Sequence, residues 1–437
     1  MGTGSLWKHG DFLKLWSAET ISQFGTQVSQ LALPLIAIVI LDASPFAVAA
    51  LGTIEFLPFL LFTLPAGVWV DRLRRRAILI TADYGRALLL LTVPAAYALD
   101  ALTLAQLYVV GFLVGTFTVL FDVSYQSYLP SLVGREQIVE GNSKLEVSRT
   151  TAQITGPGVA GGLIALITAP YAVLVDAISF LASGAFLTAI RKQEQKPAVA
   201  EGVKPRMRSE LWEGLQYVVH HPLLRPQALC TGTSNFFSNV TYSILLVYAV
   251  RTLGLSAEEI GLIFTLGGVG GLAGALLSQR ITNRFGVGRT TIAMTFLFGG
   301  SGFLVPLAPK DFPHPFLVAA GLIASFGIVV YNITQVSLRQ AITPQRIQGR
   351  MNSVMRFLVW GTIPLGALTG GALGSTIGLR ETLFVGATGG LLSALPIILS
   401  RAQRTLGPIP EPEPEPGPGA GLGDLATVQP APATPDA

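Results

Sequence analysis

The sequence predicts an all-α integral membrane protein with twelve transmembrane helices in two parallel six-helix halves. Half of its 437 residues are hydrophobic and only 12% are charged, whereas a soluble domain carries about 25% charged residues. Apolar stretches long enough to cross a bilayer follow one another along the chain. Short motifs of the first half also recur in the second half at a nearly constant spacing, which predicts an internal duplication.

Twelve stretches contain the roughly 20 mostly apolar residues that a membrane-spanning helix needs. They are residues 12–40, 46–70, 77–98, 104–128, 143–167, 171–190, 226–250, 258–281, 290–309, 316–340, 351–376 and 382–400. An even number of spans places both termini on one side of the membrane. Of the 29 Lys and Arg residues, only Arg251, Lys310 and Arg380 fall in loops of the opposite side. This asymmetry predicts a multi-pass protein of the cell (inner or plasma) membrane with both termini in the cytoplasm.

The spans and loops predict four segments. These are a six-helix half at 1–190, a cytoplasmic linker at 191–225, a second six-helix half at 226–406 and a tail at 407–437. In the linker, Met207, Leu211, Leu215 and Val218 recur at helical spacing, which predicts an amphipathic helix on the inner membrane surface or a solvated linker helix. The tail is rich in Pro, Glu and Gly and is predicted to be disordered and cytoplasmic.

The two halves are related in sequence. The motif Ser22–Phe24 recurs as Ser234–Phe236, and Asn142–Ser143 recurs as Asn352–Ser353. Because matching segments recur at a similar spacing in several loops, chance similarity between short apolar segments does not explain the pattern. Two six-helix repeats with the same orientation are typical of transporters that alternate access to a central site by rocking of the halves.

The composition and motifs exclude several function classes. The basic residues lie in short loops, so the net charge of +4 does not indicate nucleic-acid binding. No phosphate-binding loop occurs, and the four histidines and single cysteine show no metal-ligand spacing. We therefore expect a transporter and not an enzyme, without a cofactor and with the proton gradient as its energy source. Its partners are expected to be a small organic substrate and membrane lipids, and the chain is expected to be a monomer.

A charged turn joins spans 2 and 3. The stretch Gly67–Arg76 reads GVWVDRLRRR and lies between two long apolar segments. It resembles the signature loop of the major facilitator superfamily, with Arg74 in place of the usual glycine. The matching residues are Gly67, Asp71, Arg72, Arg75 and Arg76. The resemblance implies that this loop is a latch in the conformational switch, and we expect the nearby pair Asp83 and Arg86 to belong to it.

Span 5 contains a cluster of small residues that reads GPGVAGG at Gly156–Gly162. Proline and glycine at these positions favour a bent helix that packs closely against a neighbour. The cluster also resembles the Gly-Pro-x-x-Gly-Gly pattern that the superfamily associates with exporters, and the matching residues are Gly156, Pro157, Gly161 and Gly162.

A longer similarity runs from about Asp11 to Arg404. Leu15–Leu35 and Asp176–Phe180 are similar to the macrolide-efflux and enterobactin-exporter group of the superfamily. The similarity implies export from the cytoplasm, although the group carries chemically diverse substrates. The arginine motif that drug/proton antiporters often carry in span 4 is absent, because Leu104–Tyr128 contains no Arg.

Ionisable residues inside membrane spans are energetically expensive and are therefore candidates for function. Glu55 lies near the middle of span 2, and Glu19 lies in the inner half of span 1. We expect Glu55, Glu19 and Asp122 to be candidates for proton coupling, although each could also be a protonated or paired structural acid. Asp122 and Arg149 are expected to form a gating ion pair, and Asp176 is expected to lie near the membrane interface.

The second half offers amides and aromatic rings in place of acids. The expected substrate-cavity residues are Asn235, Phe236, Asn239, Tyr242, Tyr331, Asn332, Gln335 and Trp360. An apolar wall with a few polar groups suits a bulky amphipathic ligand. The sequence thus predicts a proton-driven exporter of drug-like or antibiotic-like compounds. The alternatives are a siderophore or metabolite exporter on the same scaffold and a lipid flippase.

Overall fold

A computed structural model describes residues 6–134, 137–192 and 207–408, and within this part of the chain all regular secondary structure is helical. The predicted tail from residue 409 onward lies outside the described residues. The described residues fall into two compact units. Unit 1 consists of the described residues up to 192 with Leu246–Thr265, and unit 2 consists of residues 207–245 and 266–408.

The first part of the chain forms six long helices. They are α1 (Gly10–Leu35), α2 (Pro45–Arg72), α3 (Arg75–Ala98), α4 (Leu104–Val133), α5 (Ile138–Ile167) and α6 (Ala169–Thr188). A π-helical turn at Ile36–Ile40 continues α1. Capping residues mark where some of these helices begin. Thr103, for example, accepts a hydrogen bond from the Gln106 amide and caps the start of α4.

The described second part of the chain contains a short helix at each end and, between them, six long helices, of which three are interrupted. They are α7 (Met207–His220), α8 (Leu224–Arg251), α9 (Ala257–Phe285), α10 (Val287–Ser301), α11 (Leu304–Leu307), α12 (His314–Ile342), α13 (Gln345–Trp360), α14 (Thr362–Thr376), α15 (Leu379–Leu392), α16 (Leu395–Leu399) and α17 (Arg401–Arg404). The ninth predicted span is α10 followed by α11, the eleventh is α13 followed by α14, and the twelfth is α15 followed by α16.

Eleven helical segments in the described part of the chain are long and apolar enough to cross a membrane. The one predicted span missing from these eleven is the seventh, α8, which has 28 residues and therefore a length of about 42 Å at 1.5 Å per residue. Its Thr, Ser and Asn residues lower its hydropathy, so its length and place in the fold identify it better than its composition does. The chain is thus an all-helical membrane protein with twelve membrane-length helices.

Unit 1 is held together by α1, which packs against α5 and α6, and by α3, which packs against α4 and α6. A buried cluster at one end of these helices includes Phe12, Leu15, Leu79 and Tyr128. The segment before α1 lies over this cluster, because the Leu6 amide donates to Glu140 Oε1 over 3.1 Å. The polar site described below lies farther along α1, α3, α4 and α6.

In unit 2, α10 packs against α12 and α15, and α7 packs against α13. The predicted amphipathic linker helix corresponds to α7. Its Val218 lies in a buried cluster with Met351 and Met355 of α13, so this face contacts protein and not lipid. On the opposite face of α7, Trp212 is 61% exposed.

Candidate functional site

Four helices of unit 1 bring ionisable side chains together in its interior. Glu19 comes from α1, Asp83 and Arg86 from α3, Asp122 from α4 and Asp176 from α6. Glu19, Asp83, Arg86 and Asp176 are buried, and Asp122 is half-buried. Arg86 interacts electrostatically with all four carboxyl groups. We call these five residues the buried acid cluster.

Arg86 and Asp83 form the fixed part of this cluster. They are three residues apart on α3, and the Arg86 guanidinium donates to Asp83 Oδ1. Ser183 of α6 donates to Asp83 Oδ2 over 2.6 Å. The guanidinium also lies 4.6 Å from the ring centroid of Phe121 and 4.0 Å from that of Phe180. Two aromatic faces therefore add cation–π attraction to the ion pair.

Glu19 is the acid of the cluster with a free carboxylate oxygen. Gln23, one turn farther along α1, donates to Glu19 Oε1 over 2.8 Å. Glu19 Oε2 is buried and has no hydrogen-bond partner among the described residues. A buried carboxyl oxygen without a partner is costly when the group is charged. Protonation of Glu19 would remove this cost.

Asp176, which was expected near the membrane interface, lies in the interior of unit 1, where it is only 1% exposed. Ser179 donates to Asp176 Oδ1 over 3.1 Å. Gly25 of α1 lies directly opposite, and a Cβ atom there would lie 2.6 Å from Asp176 Oδ1. The missing side chain of Gly25 makes room for the buried acid.

The expected ion pair between Asp122 and Arg149 is not formed. Arg149 lies 3.7 Å from Glu146 on its own helix, and its side chain is 54% exposed. Among the ion pairs that join described residues, none involves Asp122. Arg149 attracts the Asp122 carboxyl group electrostatically, but the two side chains do not form a salt bridge. Asp122 instead belongs to the buried acid cluster, where the attraction by Arg86 is larger.

Glu55 occupies a separate site in unit 1, where α2 crosses α4. Its side chain is half-buried, and its Oε1 atom is buried without a hydrogen-bond partner among the described residues. A Cβ atom on Gly111 would lie 2.8 Å from Glu55 Cγ, and one on Gly115 would lie against the backbone of Glu55. The two glycines of α4 thus allow α2 to approach closely and leave space for the Glu55 side chain.

The predicted latch is only partly described. Gly67, Asp71 and Arg72 lie at the end of α2, but their side-chain surroundings lie outside the described part of the structure. Arg76 donates to the carbonyl oxygens of Leu187 and Thr188 over 3.1 and 2.6 Å. It therefore caps the end of α6, where a cation is favoured. Arg75 begins α3.

The Asp83–Arg86 pair, which was expected to join the latch, is instead buried two to three turns into α3. Its partners among the described residues are Ser183, Phe121 and Phe180 and not residues of the arginine turn.

The small residues of span 5 form a close contact between α5 and α9 within unit 1. The Gly158 amide donates to Thr265 Oγ1 over 2.9 Å. A Cβ atom on Gly161 would lie 3.1 Å from Glu258 Cα and closer still to the Ala257 carbonyl oxygen. Gly156 faces the Gln27 side chain, whereas no atom lies within 4 Å of the position that a Cβ atom on Gly162 would take. Pro157 contributes its carbonyl oxygen to the contact with Gly261.

The expected substrate-cavity residues of unit 2 fall into three groups. Tyr331 and Gln335 are buried, and the Tyr331 hydroxyl lies 2.7 Å from Thr231 Oγ1. Asn239 donates to the Asn235 carbonyl oxygen over 2.8 Å, and Asn235 donates to Val359. The remaining four residues are exposed or half-buried; they are Phe236, Tyr242, Asn332 and Trp360.

Sequence reasoning missed the central place of Arg86 and its aromatic neighbours. Phe121 and Phe180 lie in apolar stretches, and nothing in their spacing distinguishes them from lipid-facing residues. Sequence reasoning also missed Arg251 at the end of α8. This residue donates to Asp42 Oδ1 over 2.7 Å and to the Ala43 carbonyl oxygen over 2.9 Å, so it closes the loop after α1.

Comparisons with known proteins agree with this fold. The chain is 28% identical over 413 residues to the multidrug efflux pump Tap of Mycolicibacterium fortuitum, covering 90% of this chain and 94% of the relative. It is 26% identical to the uncharacterized MFS-type transporter YfiS of Bacillus subtilis, covering 85% and 89% of the two chains.

Solved structures of transporters share the architecture. A bacterial homologue of the iron transporter ferroportin in its inward-facing state matches with a TM-score of 0.73 at 17% identity, over 89% of this chain and 98% of that one. The nucleoside transporter NupG matches with a TM-score of 0.69 at 11% identity, over 90% and 100%. At these identities the likeness shows the fold alone. The family model described as a transmembrane secretion effector, MFS_3, matches residues 3–407. The chain therefore belongs to the transmembrane secretion effector family of major facilitator transporters.

Proposed function

We propose that this transporter exports bulky amphipathic organic compounds, of the drug or antibiotic type, and that proton entry drives the export. The observation that carries the proposal is the imbalance of charge in the buried acid cluster. One cation, Arg86, lies among four carboxyl groups, and Asp83 already pairs with it. Charged groups inside a low-dielectric site must be paired or neutralised, so the remaining carboxyls balance their charge by taking up protons.

Glu19 and Glu55 are the two carboxyls best suited to bind and release a proton. Each has a buried oxygen without a hydrogen-bond partner among the described residues. Glu19 lies near other charges, so its protonation can respond to the state of Arg86 and Asp122. Glu55 lies against Gly111 and Gly115 of α4 and is not paired with any described cation. We assign both to proton coupling, with Asp122 as a further member.

Two further observations support export of an amphipathic compound. The relative from M. fortuitum is a multidrug efflux pump that aligns with 90% of this chain. In unit 2, half-buried or exposed Phe236, Tyr242 and Trp360 stand near the amides of Asn235 and Asn239 on α8 and α13. Aromatic surfaces with a few amide groups suit a large apolar ligand with sparse polar groups. The Lys and Arg asymmetry supports cytoplasmic termini.

The first experiment identifies the cargo class. Cells with and without the protein are loaded with a panel of hydrophobic dyes and antibiotics, and intracellular accumulation is measured before and after a protonophore collapses the proton gradient. We expect lower accumulation of some compounds only in cells that have both the protein and the gradient. Lipid transbilayer movement in proteoliposomes without a gradient, together with no compound efflux, would instead support the flippase alternative.

The second experiment tests the carboxyls. Glu19→Gln and Glu55→Gln keep shape and hydrogen bonding but remove the titratable proton. We expect each to abolish gradient-driven uptake of a cargo from the first experiment into inverted vesicles, while the protein still inserts. Asp100→Asn is the matched control, because Asp100 is exposed in a loop with φ +51°, a conformation that Asn also accepts. Wild-type uptake by both Gln variants would refute the assignment.

A further inference from the structure

One face of α12 carries three polar residues at four-residue spacing. Tyr331, Gln335 and Arg339 therefore lie one above another along the helix. Tyr331 and Gln335 are 3% and 5% exposed. Arg339 is half-buried, and its Nε atom is buried. Side chains on a helix lean toward its N-terminus, so the Arg339 guanidinium leans toward Gln335, and its charge interacts with Tyr331.

The start of α8 faces this side of α12 in the opposite direction. Thr231 Oγ1 lies 2.7 Å from the Tyr331 hydroxyl. Just before α8, Tyr217 donates to the Ile342 carbonyl oxygen over 3.1 Å. The two helices are therefore antiparallel, and residues with lower numbers on α8 lie beside residues with higher numbers on α12. One turn before Thr231, this register places Gln227 at the level of Gln335, between Tyr331 and Arg339.

Gln227 has unused hydrogen-bonding groups. Its side chain is 0% exposed, and neither its amide oxygen nor its amide nitrogen has a partner among the described residues. Its main-chain carbonyl accepts a hydrogen bond from Thr231, so only the side chain is left over. The buried Gln335 Oε1 also has no partner within the described part of the chain. Buried amides normally make hydrogen bonds, so this face of the unit has two amide side chains with unused hydrogen-bonding capacity, and Gln227 Nε2 is an unused donor.

The positive charge of Arg339 also has no carboxylate partner among the described residues. Among the described ion pairs, none joins it to a carboxylate. Two carboxylates of unit 2 have described side chains, Asp311 and Glu381. Asp311 precedes α12, at the end opposite to Arg339, and Glu381 is next to Arg380, which contacts Pro306 at that same end. A buried cation without a nearby anion is strongly unfavourable.

The geometry points to a binding site for a small monovalent anion, held by the Arg339 guanidinium and the amide groups of Gln227 and Gln335. A guanidinium supplies a fixed positive charge with several N–H donors, and primary amides add neutral donors. The complete burial of Gln227 restricts the site to an ion of halide size. Chloride satisfies these requirements, whereas a carboxylate of an organic cargo is larger. The site is distinct from the acid cluster and does not depend on the proposed direction of transport.

The test measures anion-dependent stability of the purified full-length protein in a neutral detergent. The five Trp residues report thermal unfolding while chloride replaces gluconate at constant ionic strength. We expect the wild-type midpoint to rise and then saturate with chloride, because a ligand that binds only the folded state stabilises it. Arg339→Gln and Gln227→Leu remove a donor each. Since a hydrogen bond to a charged group contributes about 1.5–3 kcal/mol, each should weaken the apparent chloride affinity by roughly tenfold or more.

A second signature separates a binding site from a packing defect. Without chloride, Arg339→Gln should be as stable as the wild type or more stable, because it removes an uncompensated charge. With saturating chloride, the wild type should gain and the variant should not. Arg401→Gln is the matched control, since Arg401 is exposed, and it should respond to chloride like the wild type.

Three results would overturn the proposal. The first is an equal chloride response in wild type, Arg339→Gln and Gln227→Leu, which would indicate a general salt effect. The second is stabilisation by acetate and not by chloride, which would contradict the halide-sized site. The third is a wild-type protein whose stability does not change with chloride at all. Gln227→Leu preserves side-chain volume, so its response can be measured even where Arg339→Gln does not fold.

Discussion

Removing one partner of the buried Asp83–Arg86 pair should destabilise the protein more than removing both. In Arg86→Met, Asp83 is left fully buried with only the Ser183 hydroxyl as a partner. In Asp83→Leu, Arg86 keeps its aromatic neighbours but loses its carboxylate. Breaking a buried ion pair in this way costs about 3–5 kcal/mol, whereas replacing both partners by apolar residues is often nearly neutral.

The size of the effect makes it measurable. For a unit of about 200 residues, 1 kcal/mol shifts the melting temperature by roughly 2–4 °C, so each single variant should melt roughly 6–20 °C lower. The Asp83→Leu/Arg86→Met double variant should recover most of this loss. Thermal stability in detergent is measured as the fraction of protein that remains monodisperse after heating.

The double variant also separates stability from function. Because it lacks the fixed cation of the acid cluster, it should fold but fail in gradient-driven uptake. Lys14, which pairs with Asp11 and is about one quarter exposed, provides a comparison in unit 1. Lys14→Met should cost about 1 kcal/mol or less, as surface pairs do. The reasoning is refuted when Arg86→Met is as stable as the wild type, or when the double variant is no more stable than the singles.

Three further predictions concern topology, helix packing and pH. Single cysteines at positions 42 and 311 should react with an impermeant thiol reagent added to intact cells, and one at position 74 should not; the opposite pattern would reverse the proposed orientation. Gly161→Leu should reduce folded protein and transport because it collides with α9, at about 1–3 kcal/mol for overpacking. The adjacent Gly162→Leu points into open space and should be tolerated; equal effects would contradict the close contact. His221 lies in the loop before α8 and is buried. Its Nδ1 accepts hydrogen bonds from the amides of Leu223 and Leu224. Burial lowers the pKa of His221 to about 4.

The pH dependence follows from the unprotonated state of His221. Its unfolded pKa is near 6.5, so the unfolded chain binds more protons between the two values. The stability contribution is fully present above about pH 6.5 and is lost as the pH falls toward 4. We expect His221→Gln to flatten the wild-type decline in melting temperature over this range, and the exposed His220→Gln to leave it unchanged. An unchanged decline in His221→Gln would contradict the assignment.

The sequence predicted the membrane architecture well because length and apolarity suffice for it. Eleven of the twelve spans are long and apolar enough to cross a membrane, and the remaining one, α8, follows from the duplication of Ser22–Phe24 as Ser234–Phe236. The interruptions in the later spans were not predicted. The break between α13 and α14 falls at Gly361, in an apolar stretch that reads equally well as one continuous helix.

The interior of the candidate site was harder to predict. The position of a residue along a helix can be read from the sequence, but this position does not tell which neighbouring helix its side chain faces. Asp122 and Arg149 have similar depths, yet Arg149 turns toward Glu146 on its own helix. Asp176 is close to a helix end in the sequence, yet it is buried because Gly25 on another helix leaves room for it. Gly25 and Asp176 are far apart in the sequence, so no local pattern reveals their contact.

The two halves use the same helix crossing in different ways. In the first half, Gly111 and Gly115 of α4 provide the close approach, and the facing position on α2 is free to hold Glu55. In the second half, the position 212 residues after Glu55 is Gly267 of α9. A Cβ atom there would lie 3.1 Å from Gly321 Cα of α12. Because α9 itself supplies the small residue at this crossing, an acid side chain has no space there. Packing therefore gives a physical reason why an acid occurs at this crossing in only one half. In the proposed mechanism, the carboxyl groups that bind protons accordingly lie in unit 1.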